Sequence, residues 1–525
     1  MIAKWRGCTI ALLVGCTASE PKSVPIEKPM LVEKPVLVEK PVLVEVSEVR
    51  PPSTTWLAQW AGQDFDEVNG LAITPEGDTL AVGGVAGAVV LSSAGFAPTT
   101  VMAPLLKPNR SGLLVKYGQY GDLRFAVPFA LTDDADAVAA TPDGGAVVVG
   151  SVKKPLVETD GPGLYEREEP DGFVARFDAA GKPVWRRVLA GPSTQTITEV
   201  AAHPQGGYVV AGVFHGDSRF DGDARSMGVG MAPKNEEELG ISYDVFVARL
   251  AEDGEVMWIG ELGSEEQEVV GGVAVGADGT VVLTGECRLR TRVRGGGRTQ
   301  TITCGDLSIG GFLATWRADG ELEWATRIPG PERDTQSPMG VTVLADGSIV
   351  AVGLFKKGIG GGALPLLSNG DGLVDGFVVA YTAKGQPAWL RHLRGPSVEL
   401  FQAAVAAPGG GVWVLGNGSA DMEFGDGTKY EGRVPRAGND ALLLRYDAGG
   451  ELVYAGLYGG KPAPRESSPT VADADMSEVR PYALAVAADG SLRIGGSFDG
   501  GLALAGDGAP KLRASADLDG FVIAV

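Results

Sequence analysis

The chain has 525 residues, 78 of them glycine and 33 proline, and a formal net charge of -21. This length accommodates several ordinary domains or one large repeat domain. This strongly negative net charge repels the phosphate backbone of nucleic acids, and no basic stripe along the sequence offsets it. The composition therefore excludes a nucleic-acid-binding function.

The N-terminus predicts an export signal and a lipid anchor. Two basic residues, Lys4 and Arg6, precede an apolar run at residues 9–14 that is too short to span a bilayer. The run leads into Leu-Val-Gly-Cys at 13–16, which resembles the lipobox of bacterial lipoproteins. The resemblance implies cleavage after residue 15, acylation of Cys16 and stable membrane anchoring by more than one acyl chain. The alternative is an ordinary signal peptide with an incidental cysteine.

The residue after the cysteine bears on the destination of the protein. Inner-membrane retention signals usually place Asp there, and this chain has Thr17. The sequence therefore favours an outer-membrane lipoprotein that faces either the periplasm or the exterior. We assign residues 1–15 to the signal peptide, and residues 16–53 to the lipidated cysteine and an extended linker.

The linker is built from a short repeat. Residues 27–44 form three tandem hexapeptides, Glu-Lys-Pro-Met-Leu-Val followed by Glu-Lys-Pro-Val-Leu-Val twice. Proline at every sixth position excludes a helix, so we expect an extended, semi-rigid stalk that holds the folded part away from the membrane. The alternative, strand pairing through the Val-Leu-Val triplets, is disfavoured by the regular prolines.

Downstream of the stalk, one spacing recurs six times: an apolar residue, a Gly eight positions later and an aromatic residue four positions beyond the Gly. The six sets are Leu113/Gly121/Phe125, Phe173/Gly181/Trp185, Phe246/Gly254/Trp258, Phe312/Gly320/Trp324, Phe377/Gly385/Trp389 and Leu442/Gly450/Tyr454. A constant spacing indicates one structural unit copied along the chain. The fixed place of the aromatic residues predicts packing between units rather than ligand stacking.

A hairpin signal lies upstream of each unit. Two short apolar runs flank a tight turn, and the turn glycines are Gly77, Gly144, Gly206, Gly279, Gly347, Gly409 and Gly490. Glycine adopts the positive φ that such turns require, so each repeat is predicted to contain four antiparallel strands, A to D.

Strand counting predicts how the repeats close. The last repeat supplies strands A and B around Gly490 and strand C at residues 519–525, and residues 54–60 can supply its missing strand D. Pairing the first strand with the last removes an open sheet edge. The predicted fold is all-β: a seven-bladed β-propeller of four-stranded antiparallel blades over residues 54–525, with the ring closed by the N-terminal strand.

The C strands resemble a known repeat. They open with Asp-Gly-Phe at 171–173 and 375–377 and with Asp-Val-Phe at 244–246. Together with the Asp-Gly turns and the D-strand tryptophans, these openings resemble the bacterial SBBP-type β-propeller repeat. The resemblance implies a propeller in an exported protein and supplies no catalytic residues. Three blades depart from the pattern, at 111–113, 310–312 and 440–442.

Connections of variable length, between strands B and C and between strands D and A, are predicted to emerge on one face and mark it as the interaction face. The D-to-A connections are acidic. Their acidic residues are Asp64, Asp66, Asp133, Asp134, Asp136, Glu199, Glu265, Glu266, Glu268, Glu332, Asp334, Glu399, Asp473 and Asp475. They are candidates for a negative ring at the channel mouth that attracts cations or a basic partner. The alternative is a set of solvated loop acids and turn caps.

Downstream of the predicted lipidated Cys16, the chain has two cysteines, Cys287 and Cys304, and they bracket an arginine-rich segment. Folding that segment about its glycines pairs Cys287 with Cys304 and Leu289 with Ile302 on one face. The other face is then predicted to carry Arg288, Arg290 and Arg292 opposite Thr303, Thr301 and Thr299. An exported chain makes the disulfide plausible.

We therefore predict a disulfide-pinned hairpin whose arginines bind a phosphate, sulfate or carboxylate group on an envelope polymer. The candidate residues are Arg288, Arg290, Arg292 and Arg294. The alternative is an exposed edge whose arginines prevent aggregation or pair with the acidic loops.

Enzyme signatures are absent from the sequence. It has three histidines, no Gly-x-Ser-x-Gly elbow, no P-loop and no Asp-x-Asp-x-Asp-Gly calcium loop, so no cofactor and no metal are predicted. We expect a monomeric, non-catalytic binding or scaffolding module that is anchored in the membrane by lipid and serves an envelope protein or polysaccharide. The alternatives are a hydrolase or lyase with its site at the acidic channel mouth and a structural adhesin.

Overall fold

The computed structural model describes part of the chain. The described residues are 56–62, 65–103, 111–129, 132–152, 170–228, 243–369, 374–395, 398–418, 422–425, 430–434, 440–458, 479–499, 501–503, 511–514 and 518–525. The predicted signal peptide, Cys16 and the stalk lie outside them. Among the described residues no helix is long and apolar enough to cross a membrane.

The described residues are organised as β-strands. The first strands are β1 (Trp56–Ala61), β2 (Glu67–Ile73), β3 (Thr79–Val85), β4 (Ala88–Ser93), β5 (Thr99–Met102), β6 (Ser111–Tyr117), β7 (Leu123–Pro128), β8 (Thr132–Ala140), β9 (Ala146–Val152), β10 (Asp171–Phe177), β11 (Pro183–Ala190) and β12 (Thr196–Ala202). They are followed by β13 (Tyr208–Phe214), β14 (Arg219–Phe220), β15 (Asp244–Leu250), β16 (Val256–Gly263), β17 (Val269–Val275), β18 (Val281–Gly295), β19 (Arg298–Trp316), β20 (Leu322–Arg327), β21 (Thr335–Val343), β22 (Ile349–Lys356), β23 (Gly358–Gly361) and β24 (Leu364–Ser368). The last are β25 (Asp375–Tyr381), β26 (Pro387–Arg394), β27 (Leu400–Ala406), β28 (Val412–Gly418), β29 (Met422–Gly425), β30 (Tyr430–Val434), β31 (Asp440–Tyr446), β32 (Leu452–Tyr458), β33 (Val479–Val486), β34 (Leu492–Phe498), β35 (Gly501–Ala503), β36 (Lys511–Arg513) and β37 (Asp519–Ala524).

The main strands pair into antiparallel units of four. In chain order, unit 1 is β2-β3-β6-β7, unit 2 is β8-β9-β10-β11, unit 3 is β12-β13-β15-β16, unit 4 is β17-β18-β19-β20, unit 5 is β21-β22-β25-β26, unit 6 is β27-β28-β31-β32 and unit 7 is β33-β34-β37-β1. The predicted four-strand repeat is therefore present. Strand β1 pairs with β37 from Trp56 opposite Ala524 to Trp60 opposite Gly520, so the first strand completes the last unit.

Tight turns join the first two strands of each unit, as the sequence predicts. The φ angles of their glycines lie between 78° at Gly144 and 89° at Gly279. The first strands of successive units contact one another: β2 with β8, β8 with β12, β12 with β17, β17 with β21, β21 with β27, β27 with β33, and β33 with β2. These first strands are therefore the innermost ones, and each unit extends outward from them.

The recurrent aromatic residue packs on the next unit. The Trp258 indole N–H donates to the Ala318 carbonyl at 3.0 Å, and a Cβ added to Gly320 would lie 2.6 Å from Trp258 Cγ. The same arrangement joins Trp56 to Gly121, Phe125 to Gly181, Trp185 to Gly254, Trp324 to Gly385 and Trp389 to Gly450. The prediction that these aromatic residues pack between units is confirmed for Phe125, Trp185, Trp258, Trp324 and Trp389, and the glycine of the spacing is explained by the ring lying on it.

Connections between the second and third strands protect the outer sheet edges. Strand β4 pairs with β1, β14 with β11, the end of β18 with β16, and β29 with β26. In each case a connection pairs with the fourth strand of the preceding unit. We expected these connections to mark a face of the molecule. They instead lie along its outer edge, because the fourth strand otherwise leaves a row of unpaired backbone groups.

Candidate functional site

The innermost strands surround a narrow cavity of about 150 Å³. Each of these strands contributes a Gly or Ala to its lining except β12, which contributes Glu199. Among the described residues that line the cavity, Glu199 is the one charged side chain. The cavity is smaller than the several hundred Å³ of a typical ligand pocket. It therefore offers little room for an organic substrate.

Three of the predicted channel-mouth acids, Asp66, Glu268 and Glu399, are fully buried. Asp66 accepts a hydrogen bond from the Ala86 backbone N–H at 3.1 Å. Glu268 accepts one from the Ser264 backbone N–H at 3.0 Å. Glu399 packs over Gly395, where a Cβ would lie 2.4 Å from its carboxyl carbon. These carboxyls stabilise the connections that carry them.

The remaining predicted acids occupy varied positions. Asp64, Asp473 and Asp475 lie outside the described residues, and Asp133 and Asp134 are in β8 but their side chains are not described. Asp136 is the bulged residue of β8, between Ala135 and Ala137. Glu265, Glu266 and Asp334 are half-buried and Glu332 is exposed. Asp334 lies 3.8 Å from Lys357 Nζ.

The predicted disulfide is present. The Cys287 and Cys304 sulfurs are 1.99 Å apart, and both residues are fully buried. They close the base of residues 287–304, which we call the arginine hairpin. Val293 and Ile302 on its inner face belong to the same buried cluster as the two cysteines. The hairpin therefore packs into the core on one side, as the alternation of its sequence predicts.

The predicted register of the hairpin is wrong by two residues. Cross-strand partners are Arg290 with Thr303, Arg292 with Thr301, Arg294 with Thr299 and Thr291 with Ile302. The register shifts on both sides of Leu289, which has a φ of 50° and lies opposite Gly305. Such an irregularity reassigns partners along the hairpin. It also separates Arg288 from the row of Arg–Thr pairs.

Two units hold the arginine hairpin. On one side, β18 pairs with β16 of unit 3, with Glu261 opposite Arg294 and Gly263 opposite Arg292. On the other side, the Gln300 side-chain amide exchanges hydrogen bonds with the backbone of Ala325 in β20. These contacts, with the disulfide, make the hairpin a fixed platform rather than a free loop.

The outward face of this platform carries a regular set of polar side chains. We call Arg290, Arg292 and Arg294 the arginine ladder. Arg290 is exposed, and Arg292 and Arg294 are half-buried. Their cross-strand partners Thr303, Thr301 and Thr299 are all exposed. The fourth candidate, Arg288, interacts electrostatically with the buried Glu286 instead.

Two carboxyl groups lie beside the arginine ladder. Glu261 Oε2 is 3.8 Å from Arg294 Nη1. The Asp244 carboxyl occupies the space over Gly263, where a Cβ would lie 2.1 Å from Asp244 Oδ1. We call Asp244 and Glu261 the carboxyl pair. Burial raises the pKa of Asp244 to about 7, with a further contribution from Glu261, while Arg292 and Arg294 oppose the shift. Burial also raises the pKa of Glu261.

The carboxyl pair was not predicted from the sequence. In unit 5 the equivalent aspartate, Asp375, lies 2.7 Å from His392 Nε2. In unit 7 Asp519 accepts a hydrogen bond from Gln59 at 2.5 Å. In unit 3 the same strand position holds Glu261 instead of a hydrogen-bond donor. The signal in the sequence was Glu261, an acidic residue three positions after Trp258. It stands out only when the units are aligned and this position is compared among them.

No metal site accompanies these groups. Within the described ranges, no group of three or more His, Cys, Asp or Glu side chains is arranged to hold a metal ion. The arrangement can instead offer cationic and hydroxyl donors to an anion on its outer face.

The chain is similar to several solved structures at low sequence identity. No protein-family model matches the chain, and no curated protein matches it. It is similar to virginiamycin B lyase from Staphylococcus aureus, with 10% identity and a TM-score of 0.40 over 90% of this chain and 99% of that chain. It is also similar to the polysaccharide lyase Uly1, with 10% identity and a TM-score of 0.41 over 87% and 90% of the two chains. A puromycin hydrolase is similar as well, with 12% identity and a TM-score of 0.35 over 83% of this chain and 58% of that chain. TM-scores below 0.5 at such identities carry no argument about activity.

Proposed function

We propose that the chain is an outer-membrane lipoprotein that acts as a monomeric, non-catalytic binding module. Residues 1–15 are its signal peptide, Cys16 carries the lipid, residues 16–53 form the stalk, and residues 54–525 form a closed, seven-bladed β-propeller. Two observations support the closed ring: β1 pairs with β37, and the innermost strands contact one another in order until β33 meets β2. A closed ring has no open sheet edge between its first and last blades.

The observation that carries the binding function is the exposed face of the arginine hairpin. It sets three arginines opposite three exposed threonines on a platform pinned by a disulfide. Guanidinium groups bind phosphate, sulfate and carboxylate oxygens by charge-assisted hydrogen bonds, and hydroxyls add further donors. Holding them on a fixed hairpin lowers the entropy lost when a ligand binds. We propose an anionic envelope polysaccharide or protein as the partner.

The geometry of the channel favours this proposal over the hydrolase or lyase alternative. The cavity between the innermost strands is small, and Glu199 is the one charged residue among its described lining. The buried acids are used in structural contacts: Glu268 binds the backbone of its own connection, Glu399 packs over Gly395, and Asp66 binds the backbone of the β3–β4 connection. A paired-carboxylate mechanism needs two acids that face one substrate.

The test is equilibrium binding of the full-length chain to dextran sulfate, with unsulfated dextran as the control polymer. Changing Arg290, Arg292 and Arg294 together to Ser should weaken binding to dextran sulfate at least tenfold. A matched control changes three exposed arginines elsewhere, Arg124, Arg317 and Arg333, to Ser and removes the same charge. Equal weakening in both triple variants would show non-specific electrostatic attraction and refute the site.

A further inference from the structure

We propose that protons on the carboxyl pair regulate the arginine ladder, so that it binds sulfated or phosphorylated polymers more tightly at acidic than at alkaline pH. This inference rests on the proposed function, because it concerns the same anion-binding face.

The ladder and the carboxyl pair lie on one face of a continuous three-stranded arrangement. Strand β16 pairs with β18, and β18 pairs with β19. Residues directly opposite one another across such strands project from the same side. One row across the three strands is therefore Glu261, Arg294 and Thr299. The next row is Gly263, Arg292 and Thr301, and the Asp244 carboxyl fills the space over Gly263.

The repeat gives an internal comparison for this arrangement. Asp375 and Asp519 each have a neutral or cationic donor partner, His392 and Gln59. Asp244 has Glu261 at the equivalent strand position. Glu261 acts electrostatically on Asp244, and two neighbouring carboxylates repel each other unless a proton or a cation offsets their charge. In unit 3, the cations within reach are the half-buried members of the arginine ladder, Arg292 and Arg294.

The charge state of the pair therefore sets the net charge of the face. Burial raises the pKa of Asp244 to about 7, so this carboxyl is largely protonated below that pH and ionised above it. When protonated, it leaves the positive charge of Arg292 available to a ligand. When ionised, it competes with the ligand for the same guanidinium groups. Affinity for an anion should therefore fall as the pH rises through neutrality.

Other titratable and charged groups surround the carboxyl pair. Glu268 also faces Asp244, and burial raises its pKa to about 8. The Gly228 N–H donates to Glu261 at 3.3 Å, and Asp217 lies beside Gly228. The His215 ring packs edge-on to Tyr243, the residue before Asp244. The charged groups close to these elements also include the Arg225 and Asp223 ion pair, whose arginine binds the opposite end of β16.

Dextran sulfate suits the test because its sulfate esters keep their charge throughout the range. We expect the full-length parent to bind it about fivefold more tightly at about pH 6 than at about pH 9, at constant ionic strength. The isosteric changes Glu261→Gln and Asp244→Asn should each reduce this pH dependence by raising affinity at alkaline pH. A matched control is Glu423→Gln, which removes a carboxylate paired with Arg394 at the corresponding strand junction of unit 5.

The outcomes separate the inference from the function on which it rests. We expect the affinity of the parent and of Glu423→Gln to depend on pH. We expect this dependence to be much smaller in both carboxyl variants. Parental binding that is equal at the two pH values, or a dependence that both carboxyl variants retain, overturns the inference and leaves the binding site in place. Failure of the parent to bind at either pH overturns both. Circular dichroism at each pH confirms that every variant is folded.

Discussion

At the scale of single residues, the contact that recurs most often joins an aromatic ring to a glycine of the next unit. Gly320 has a φ of 87° and lies so close to Trp258 that a Cβ would be 2.6 Å from the ring. Gly490 has a φ of 88°, yet no atom lies within 4 Å of the position of its Cβ. The two glycines therefore share a backbone requirement and differ in packing.

We predict that Gly320→Ala destabilises the protein by about 1 to 3 kcal/mol more than Gly490→Ala. Both changes force a side chain into a left-handed backbone conformation, but only the first displaces the Trp258 indole and its hydrogen bond to Ala318. Denaturant unfolding followed by tryptophan fluorescence measures the difference. Equal losses in the two variants would contradict an inter-unit role for this contact.

At the scale of elements, the arginine hairpin shows what the sequence can and cannot predict. Alternating side chains and two cysteines were enough to predict the disulfide and an arginine–threonine face. The register was wrong because the irregularity at Leu289 disrupts simple alternation next to the pairing of β18 with β16. The carboxyl pair was missed because Asp244 and Glu261 are distant in sequence and meet only through the pairing of β15 with β16.

The Gln300 side chain caps an outer sheet edge, and its removal should loosen that edge. The Gln300 Oε1 atom accepts a hydrogen bond from the Ala325 N–H at 3.0 Å, and the Gln300 Nε2 atom donates one to the Ala325 carbonyl. Gln300→Ala should therefore cost about 1 to 2 kcal/mol and speed hydrogen exchange at β20. The neighbouring exposed residue offers a control, since Thr301→Ala leaves the Gln300 amide and its two hydrogen bonds to Ala325 in place. Unchanged exchange at β20 in Gln300→Ala would show that the cap is unimportant.

At the scale of the whole molecule, the repeat determines the architecture. Turn glycines, recurrent aromatics and the strand count predicted the four-stranded units and the pairing of β1 with β37. Sequence patterns of this kind report local geometry. They predicted that the connections are acidic, but they did not show in which direction each carboxyl group points. Asp66 and Glu399 turn inward because each lies over a glycine of its own connection, Gly62 or Gly395, and Asp66 also accepts a hydrogen bond from Ala86 in the β3–β4 connection.

Removing β1 should have a much larger effect than removing the stalk. Deletion of residues 56–61 exposes the edge of β37 and takes away the buried Trp60, so we expect aggregation and a large fall in the melting temperature. Deletion of the hexapeptides at 27–44 should leave the melting temperature unchanged. Size-exclusion chromatography and differential scanning calorimetry measure both effects. A monomeric variant without β1 and with the parental melting temperature would contradict the proposed ring closure.

The outer face of the arginine hairpin is the proposed binding site for an anionic polymer. Hydrogen–deuterium exchange of the full-length chain, with and without dextran sulfate at about pH 6, tests the location directly. We expect slower exchange over residues 288–303 and no change in the innermost strand around Glu199. Protection around Glu199 with none in the hairpin would contradict this proposal and move the site to the channel.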